Sequence, residues 1–231
     1  TAVGYQAGLA ITTGVSNDIF GGSAGDALTT GSFNVAIGRS SLSADTLGST
    51  SVAVGHAALA TQNFTTATNT YNTAVGYSAG NDITTGVNNT LIGGLAGDAL
   101  TDADFNTAVG YFSLTTDTLG SRSSAFGYGA LQQQNFTTAT NSYNTGVGYS
   151  AGGSITTGLR NTIIGGLAGD ALTDADDNTA LGMDALSTDT LGSRSTAVGK
   201  GALNVQNFTT ATDSYNTAVG YGAGTAVTTG E

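Results

Sequence analysis

The sequence predicts an all-β chain wound as a parallel β-solenoid, a β-roll of about 13 coils. Three observations carry this: a glycine recurring at fixed intervals, an apolar residue in front of it every time, and a composition hostile to helix. The glycines are Gly4, Gly21, Gly38, Gly55, Gly76, Gly93, Gly110, Gly127, Gly148, Gly165, Gly182, Gly199 and Gly220. Their spacings are 17, 17, 17 and 21, a cycle that runs three times without exception. The sum is a 72-residue unit, and residues 73–144 match 145–216 at 54 of 72 positions with no gap. Self-similarity of this kind marks stacked coils rather than a globular core.

Each coil begins with a strand. The residue before the glycine is always apolar, as in Val75, Ile92, Val109 and Phe126. Three residues after the glycine stands a small residue (Ala7, Ala79, Ser113, Ala223), and next comes Gly or Leu, as at Gly80, Gly97, Leu114 and Leu131. Thr-Thr-Gly and Thr-Leu-Gly then supply turns, where glycine is free to take positive φ. Two strands of four or five residues and two turns fill one such coil. Helix is excluded because no segment carries a 3.6-residue apolar stripe, and Gly and Thr are poor helix formers. By count, 40 Thr, 36 Gly and 33 Ala fill 109 of 231 positions.

Four segment types make one unit, told apart by the residues beyond the glycine: Ile83–Gly86, Gly97–Thr101, Asp117–Arg122, and the long Gln134–Thr140 that ends in Tyr143-Asn144. The chain 1–231 reads as a single repeat domain with units 1–72, 73–144, 145–216 and a partial unit 217–231. Its first residue falls inside a motif, so it reads as an excerpt of a longer fibre. Twelve steps at strand spacing predict a rod of roughly 60 Å.

Stacking makes columns of equivalent residues. Four positions before the glycine, nine of twelve coils carry Asn, including Asn72, Asn89 and Asn106, and three carry Ser. Stacked amides can hydrogen-bond along such a column. With Gly76, Gly93, Gly110 and Gly127, these residues and Val75, Ile92 and Val109 form the structural motif. The inward positions are read as Val, Ile, Ala and Gly, which make a thin interior. The Val column and the Ala/Leu column together suggest that one packs inside the roll and the other against a second subunit. Asp177 and Arg194, one coil apart, should be vertical neighbours, as should Asp104 and Arg122.

Composition removes whole classes of function. Without Cys there is no disulfide, thiol nucleophile or Cys-based metal site, and His56 is the only histidine. A net charge of −11 with five basic residues argues against nucleic acid and anionic membranes. No run of 18 apolar residues exists to cross a bilayer. Every Asp cluster belongs to the repeat, so no isolated carboxylate pair marks an enzyme, and no catalytic residue is assigned.

The stretches Asn72-Thr73-Ala74-Val75-Gly76-Tyr77-Ser78-Ala79-Gly80 and Asn216-Thr217-Ala218-Val219-Gly220-Tyr221 resemble the head repeats of YadA-like trimeric autotransporter adhesins. They are closer still to the Asn-Thr-Ala-Val-Gly-Tyr repeats of phage tail fibres and bacterial tail-fibre-domain surface proteins. The adhesin-head coils are shorter and less regular than this cycle. The resemblance implies a left-handed roll, a homotrimer, and an extracellular place on a cell surface or virion. It implies attachment to a receptor or glycan and brings no catalytic residues.

Candidate contact residues follow from position. The residue after each glycine varies in size and charge, which marks an exposed face. Tyr77, Tyr111, Tyr128 and Tyr149 there can stack on sugar rings, or simply stand as surface tyrosines. Phe64, Phe136 and Phe208 in the long segment either project from a receptor-binding loop or tuck back as a clasp. Near-identity of the three loops favours the clasp. The acidic turns Asp98, Asp102, Asp104 and Asp170, Asp174, Asp176, Asp177 could hold calcium, but the first unit reads Thr29-Thr30-Gly31 at that place and manages without acids. No cofactor or metal is therefore assigned. The alternative function is ice binding by the Thr column, which is interrupted at Asp18, Val35, Val52 and Ser124.

Overall fold

The computed structural model describes residues 1–230, which are all-β with no helix, a parallel β-solenoid of about 13 turns. The chain divides into two compact units, Thr1–Tyr111 and the residues from Phe112 onward. In the first, strands Ala2–Val3, Asp18–Phe20, Val35–Ile37, Val52–Val54, Thr73–Val75, Thr90–Ile92 and Thr107–Val109 pair in parallel, each with the next. In the second, Ser124–Phe126, Thr145–Val147, Thr162–Ile164, Thr179–Leu181, Thr196–Val198 and Thr217–Val219 do the same. The register pairs equivalent residues, for example Thr73 with Thr90 and Val75 with Ile92. Across the long segment it pairs Val52 with Thr73 and Ser124 with Thr145.

The strands are fewer and shorter than the sequence predicts. Each coil gives one strand of two or three residues to the main sheet. A second, two-residue strand forms only beside the long segments, as Gly48–Ser49 with Thr68–Asn69, Gly120–Ser121 with Thr140–Asn141, and Gly192–Ser193 with Thr212–Asp213. Left-handed residues are the reason. In the coil after Gly76, Ser78 (φ 51°), Gly80 (φ 56°) and Asn88 (φ 59°) each turn the chain. Stacking survives the turns because backbone donors still reach the next coil: Gly80 N–H to Ala96 O (3.0 Å), Asp82 N–H to Asp98 O (2.9 Å), Thr84 N–H to Thr101 O (3.0 Å).

The pleat decides what is inside. The middle residue of each strand is buried, as in Ala74, Leu91, Ala108, Ile163 and Ala180. Its neighbours point outward, so the apolar residue before the glycine does not face the interior as expected. Ile92 is 39% exposed and Leu181 is 43% exposed. Of the two apolar columns, the Ala/Leu column fills the roll and the Val column lies on its surface.

The interior corner beyond the glycine follows a substitution rule. Where the fourth residue after the glycine is Gly, the seventh is a large aliphatic: Gly25 with Leu28, Gly80 with Ile83, Gly97 with Leu100, Gly152 with Ile155, Gly169 with Leu172. Where the fourth is Leu, the seventh is Asp or Gln: Leu42 with Asp45, Leu59 with Gln62, Leu114 with Asp117, Leu131 with Gln134. One corner holds one large apolar side chain, and all of these Leu and Ile residues are fully buried. A Cβ on Gly97 would lie 2.8 Å from methyls of both Leu100 and Leu91. Two apolar-corner coils followed by two polar-corner coils make the 72-residue unit.

The Asn column is buried and joins coil to coil through the backbone. In the first unit the Oδ1 of Asn17, Asn34, Asn72 and Asn89 accepts the backbone N–H of Asn34, Ser51, Asn89 and Asn106, each at 2.9 Å. Each Nδ2 donates to a backbone carbonyl at the far turn of the next coil, as Asn89 does to Ala103 O at 2.7 Å. In the second unit Asn144, Asn161 and Asn178 repeat the pattern. Direct amide-to-amide contact is the weaker part, at 3.4 Å from Asn89 Nδ2 to Asn72 Oδ1. The expected column exists, then, but it serves the main chain more than itself.

Two outcomes are expected in urea unfolding. Asn89→Ala leaves the Asn106 N–H and Ala103 carbonyl unpaired and buried, a loss of about 2–4 kcal/mol. Gly97→Leu overfills a corner already occupied by Leu100 and should cost about 1–3 kcal/mol.

Candidate functional site

The exposed columns are the candidate site, because the interior is sealed. The residue after the glycine stands just past the turn, and stacking sets successive side chains over one another. His56 and Tyr77 lie face to face with ring centroids 5.4 Å apart and planes 11° apart. Arg39 Nη1 lies 3.5 Å from His56 Nε2. In the second unit Tyr128 and Tyr149 stack at 5.4 Å and 12°. Tyr77, Tyr111, Tyr128 and Tyr149 are all exposed, where the sequence placed them.

The phenylalanines are elsewhere. Phe64, Phe136 and Phe208 are each only 6% exposed, so they offer no binding surface and act as the clasp. A Cβ on Gly192 would meet Phe208 Cδ2 at 2.8 Å, so the missing glycine side chain is what lets the ring lie down. Beneath it runs a polar network that the repeat pattern alone does not announce. Asp45, fully buried, accepts backbone N–H groups from Gly48 (2.9 Å) and Phe64 (3.2 Å) and the Gln62 amide at 2.6 Å. Gln62 also donates to Ser51 Oγ at 2.9 Å and accepts from Asn72 Nδ2 at 2.9 Å. Asp117 with Gln134 and Asp189 with Gln206 repeat it. Burial pushes the Asp117 carboxyl above its ordinary range, against the N–H donors of Phe136, Gln134 and Gly120. The signal in the sequence was Asp and Gln at interior corner positions of successive coils.

A second exposed column lies five residues before the glycine. In the second unit it reads Arg122, Tyr143, Arg160, Asp177, Arg194 and Tyr215, all in the left-handed region. Arg122 lies over Tyr143 at 5.9 Å, and Arg194 over Tyr215 at 5.6 Å. Arg160 pairs with Asp177 through Nε at 2.6 Å and Nη2 at 3.0 Å. The expected Asp177–Arg194 contact is present at 4.0 Å, and Arg194 also bonds Asp213. Arg160 therefore holds Asp177 more closely than Arg194 does, a pairing that the coil spacing equally allowed. That contact holds the Asp177 carboxyl below its ordinary range.

The acidic turns are strapped to the coil before them. Asp102 Oδ1 accepts from Thr85 Oγ1 (2.7 Å) and Asp104 Oδ1 from Val87 N–H (2.7 Å); Asp174 and Asp176 do likewise with Thr157 and Leu159. Ser32 Oγ serves Val15 N–H in the same place. Among the described residues no three His, Cys, Asp or Glu side chains gather as a metal site. Two shallow clefts open in the second unit, one beside Lys200, Asn204 and Tyr221 and one beside Tyr149, Ser150 and Asp170.

Comparison with known proteins adds no relative: no protein-family model, curated protein or solved structure matches the chain. The outer columns therefore stand on their own geometry.

Phe136→Ala should lower the urea midpoint by an amount equivalent to about 3 kcal/mol, as for a buried aromatic, without altering any surface binding. Asp177→Asn probes the ion pair. A carboxylate with a lowered folded pKa stabilises above its unfolded pKa and loses that contribution as pH falls through the folded value. The variant should be weaker than the parent at pH 7 by at most about 1 kcal/mol, with the difference vanishing once both states are protonated.

Proposed function

We propose that the chain is a non-catalytic structural and adhesive segment of an extracellular fibre, a left-handed roll with the 17-17-17-21 cycle that assembles as a homotrimer. One observation supports this reading most: every coil presents an apolar residue outward beside its glycine, in one continuous column within each unit. In the first unit that column runs Val3, Phe20, Ile37, Val54, Val75, Ile92 and Val109, and in the second Phe126, Val147, Ile164, Leu181, Val198 and Val219. Contiguous apolar surface on this scale marks an interaction site. A second copy repeats at the same coil spacing, so identical columns match row by row. The resemblance to trimeric adhesin heads and tail-fibre repeats makes three the expected number. Past the turn, the tyrosine column remains available for a receptor or glycan on the target surface.

The buried carboxylates favour a structural role over catalysis. Asp45, Asp117 and Asp189 are shielded from solvent with their oxygens committed to N–H donors. Ice binding by the outward Thr column has less support, because Asp18, Val35, Val52 and Ser124 interrupt it.

Light scattering after size exclusion tests the reading. The expected mass is three times the 22.7 kDa of one chain. Ile92→Asp combined with Leu181→Asp should reduce it to that of a single folded chain. A parent that is already monomeric would remove the trimer, and with it the assignment of the apolar column to a subunit interface.

A further inference from the structure

We propose that the notch at Gly153 is a binding subsite for one neutral pyranose ring. The 72-residue repeat supplies the comparison that exposes it. Five residues after the repeat glycine, the coils on either side carry Gln132 and Asp170, while the coil between them carries Gly153. The equivalent of Gly153 one repeat earlier is Asn81, whose Nδ2 donates to Ala57 O at 3.1 Å and so closes the same place. The second opening is at Gly166. Its counterpart Gly94 is covered, since a Cβ there would meet the Tyr111 ring at 3.2 Å. A Cβ on Gly166 would meet nothing within 4 Å. The side chain absent at Gly153 leaves a cleft of about 210 Å³ lined by Gln132, Gln133, Tyr149, Ser150, Ser154, Leu167 and Asp170.

The lining specifies the ligand. Tyr149 is 59% exposed. One face is packed on Tyr128 and the other side of its column is left open by Gly166, so the ring is a fixed platform for the C–H face of a sugar. Asp170 Oδ1 is buried and has no hydrogen-bond partner outside its own residue. Native folds rarely leave such an acceptor unpaired. A rotation of the Asp170 side chain that brings Oδ1 into the cleft would let a sugar hydroxyl supply the missing donor. The remaining polar groups are two amides and two hydroxyls, which both donate and accept, as a polyol requires. A hard cation would want several carboxylate or carbonyl oxygens, and an anion would meet the charge of Asp170 with Asp184 nearby. The volume is below the roughly 300–1,000 Å³ of drug-sized sites, which limits the occupant to a single ring.

This deepens the attachment reading yet is tested apart from it. Saturation-transfer NMR on the whole chain would use methyl β-glucopyranoside, methyl β-galactopyranoside, methyl α-mannopyranoside and methyl β-N-acetylglucosaminide in turn. Choline and methyl glucuronide serve as the cationic and anionic probes. At least one neutral glycoside should bind at millimolar concentration, more tightly than either charged probe. Gly153→Asn, which copies the Asn81 arrangement, should weaken that binding at least tenfold while the far-ultraviolet spectrum stays unchanged. Asp170→Asn and Tyr149→Ala should each weaken it about tenfold, the scale of one strong contact, and Tyr77→Ala should not. Should Gly153→Asn misfold, the Asp170 and Tyr149 variants decide. Binding of no neutral glycoside, preference for choline or the glucuronide, or unchanged affinity in the Asp170 and Tyr149 variants would overturn the site. A monomer that binds the glycoside keeps the site without the trimer, and a trimer that binds none keeps the fibre without the site.

Discussion

Everything in this fold depends on how closely one coil can lie on the next. At the repeat glycine there is no room for a side chain: a Cβ on Gly76 would stand 2.4 Å from Gly93 O, and one on Gly148 would stand 2.6 Å from Gly165 O. Both glycines hold φ near 140°, a region that side chains disfavour. The position is therefore fixed twice, by conformation and by contact. Once it is fixed, the backbone donors and acceptors of successive coils fall opposite one another, and the Asn side chain buried four residues earlier completes the pairing where the strand has not yet begun. The period follows from this contact, since a coil must return its next glycine to the same vertical line.

Inside that frame the cross-section has little freedom. The strand brings in one residue, mostly Ala, and the corner brings in one Leu or Ile from either of two backbone positions. Moving the large side chain from the seventh place to the fourth frees the seventh for a polar group, and the third and fourth coils of each unit use it for Asp and Gln. A carboxylate without a cation is costly to bury. Here it is offset by three N–H donors, two from the backbone and one from the glutamine of the next coil. The same network draws the long segment against its predecessor and lays the phenylalanine over the glycine. The four extra residues thus yield a small second sheet and a seam covered by the phenylalanine, while the Thr-Thr-Ala stretch beyond it stays exposed.

Much of this was legible in the sequence because a column repeats one environment many times. The glycine, the buried Asn and the small residue three places on announce themselves by recurrence, and the outward position after the glycine by its variation. Recurrence could not tell inside from outside for the apolar residue before the glycine, because Val suits either face of a pleat. Alternation over a three-residue strand is too short to read without knowing that its middle residue is buried. Strand length was overestimated for a related reason: the turns are made by left-handed Ser, Leu, Tyr and Arg residues as well as by Gly, and nothing in those side chains marks the conformation. The Asp–Gln network was hidden because its members sit a full coil apart and look, one coil at a time, like surface polar residues.

Where repeats differ, they show which positions the fold leaves free. Repeats 73–144 and 145–216 differ at 18 of 72 positions, the complement of their 54 identities. The corner residues are the same in both: Gly80 and Gly152, Ile83 and Ile155, Leu114 and Leu186, Asp117 and Asp189, Gln134 and Gln206. Buried changes are small, as from Ala74 to Gly146 and Leu91 to Ile163. The larger changes lie outside, where Asn88 becomes Arg160, Phe105 becomes Asp177, Tyr111 becomes Met183 and Asn81 becomes Gly153. Near-identical scaffolds thus carry different surfaces: an Arg160–Asp177 ion pair on one repeat where the other has Asn88 and Phe105, and an open notch where the other has a closed amide. A solenoid suits this division, because a side chain on an outer column meets only its neighbours in adjacent coils and can change without disturbing the glycine contact beneath.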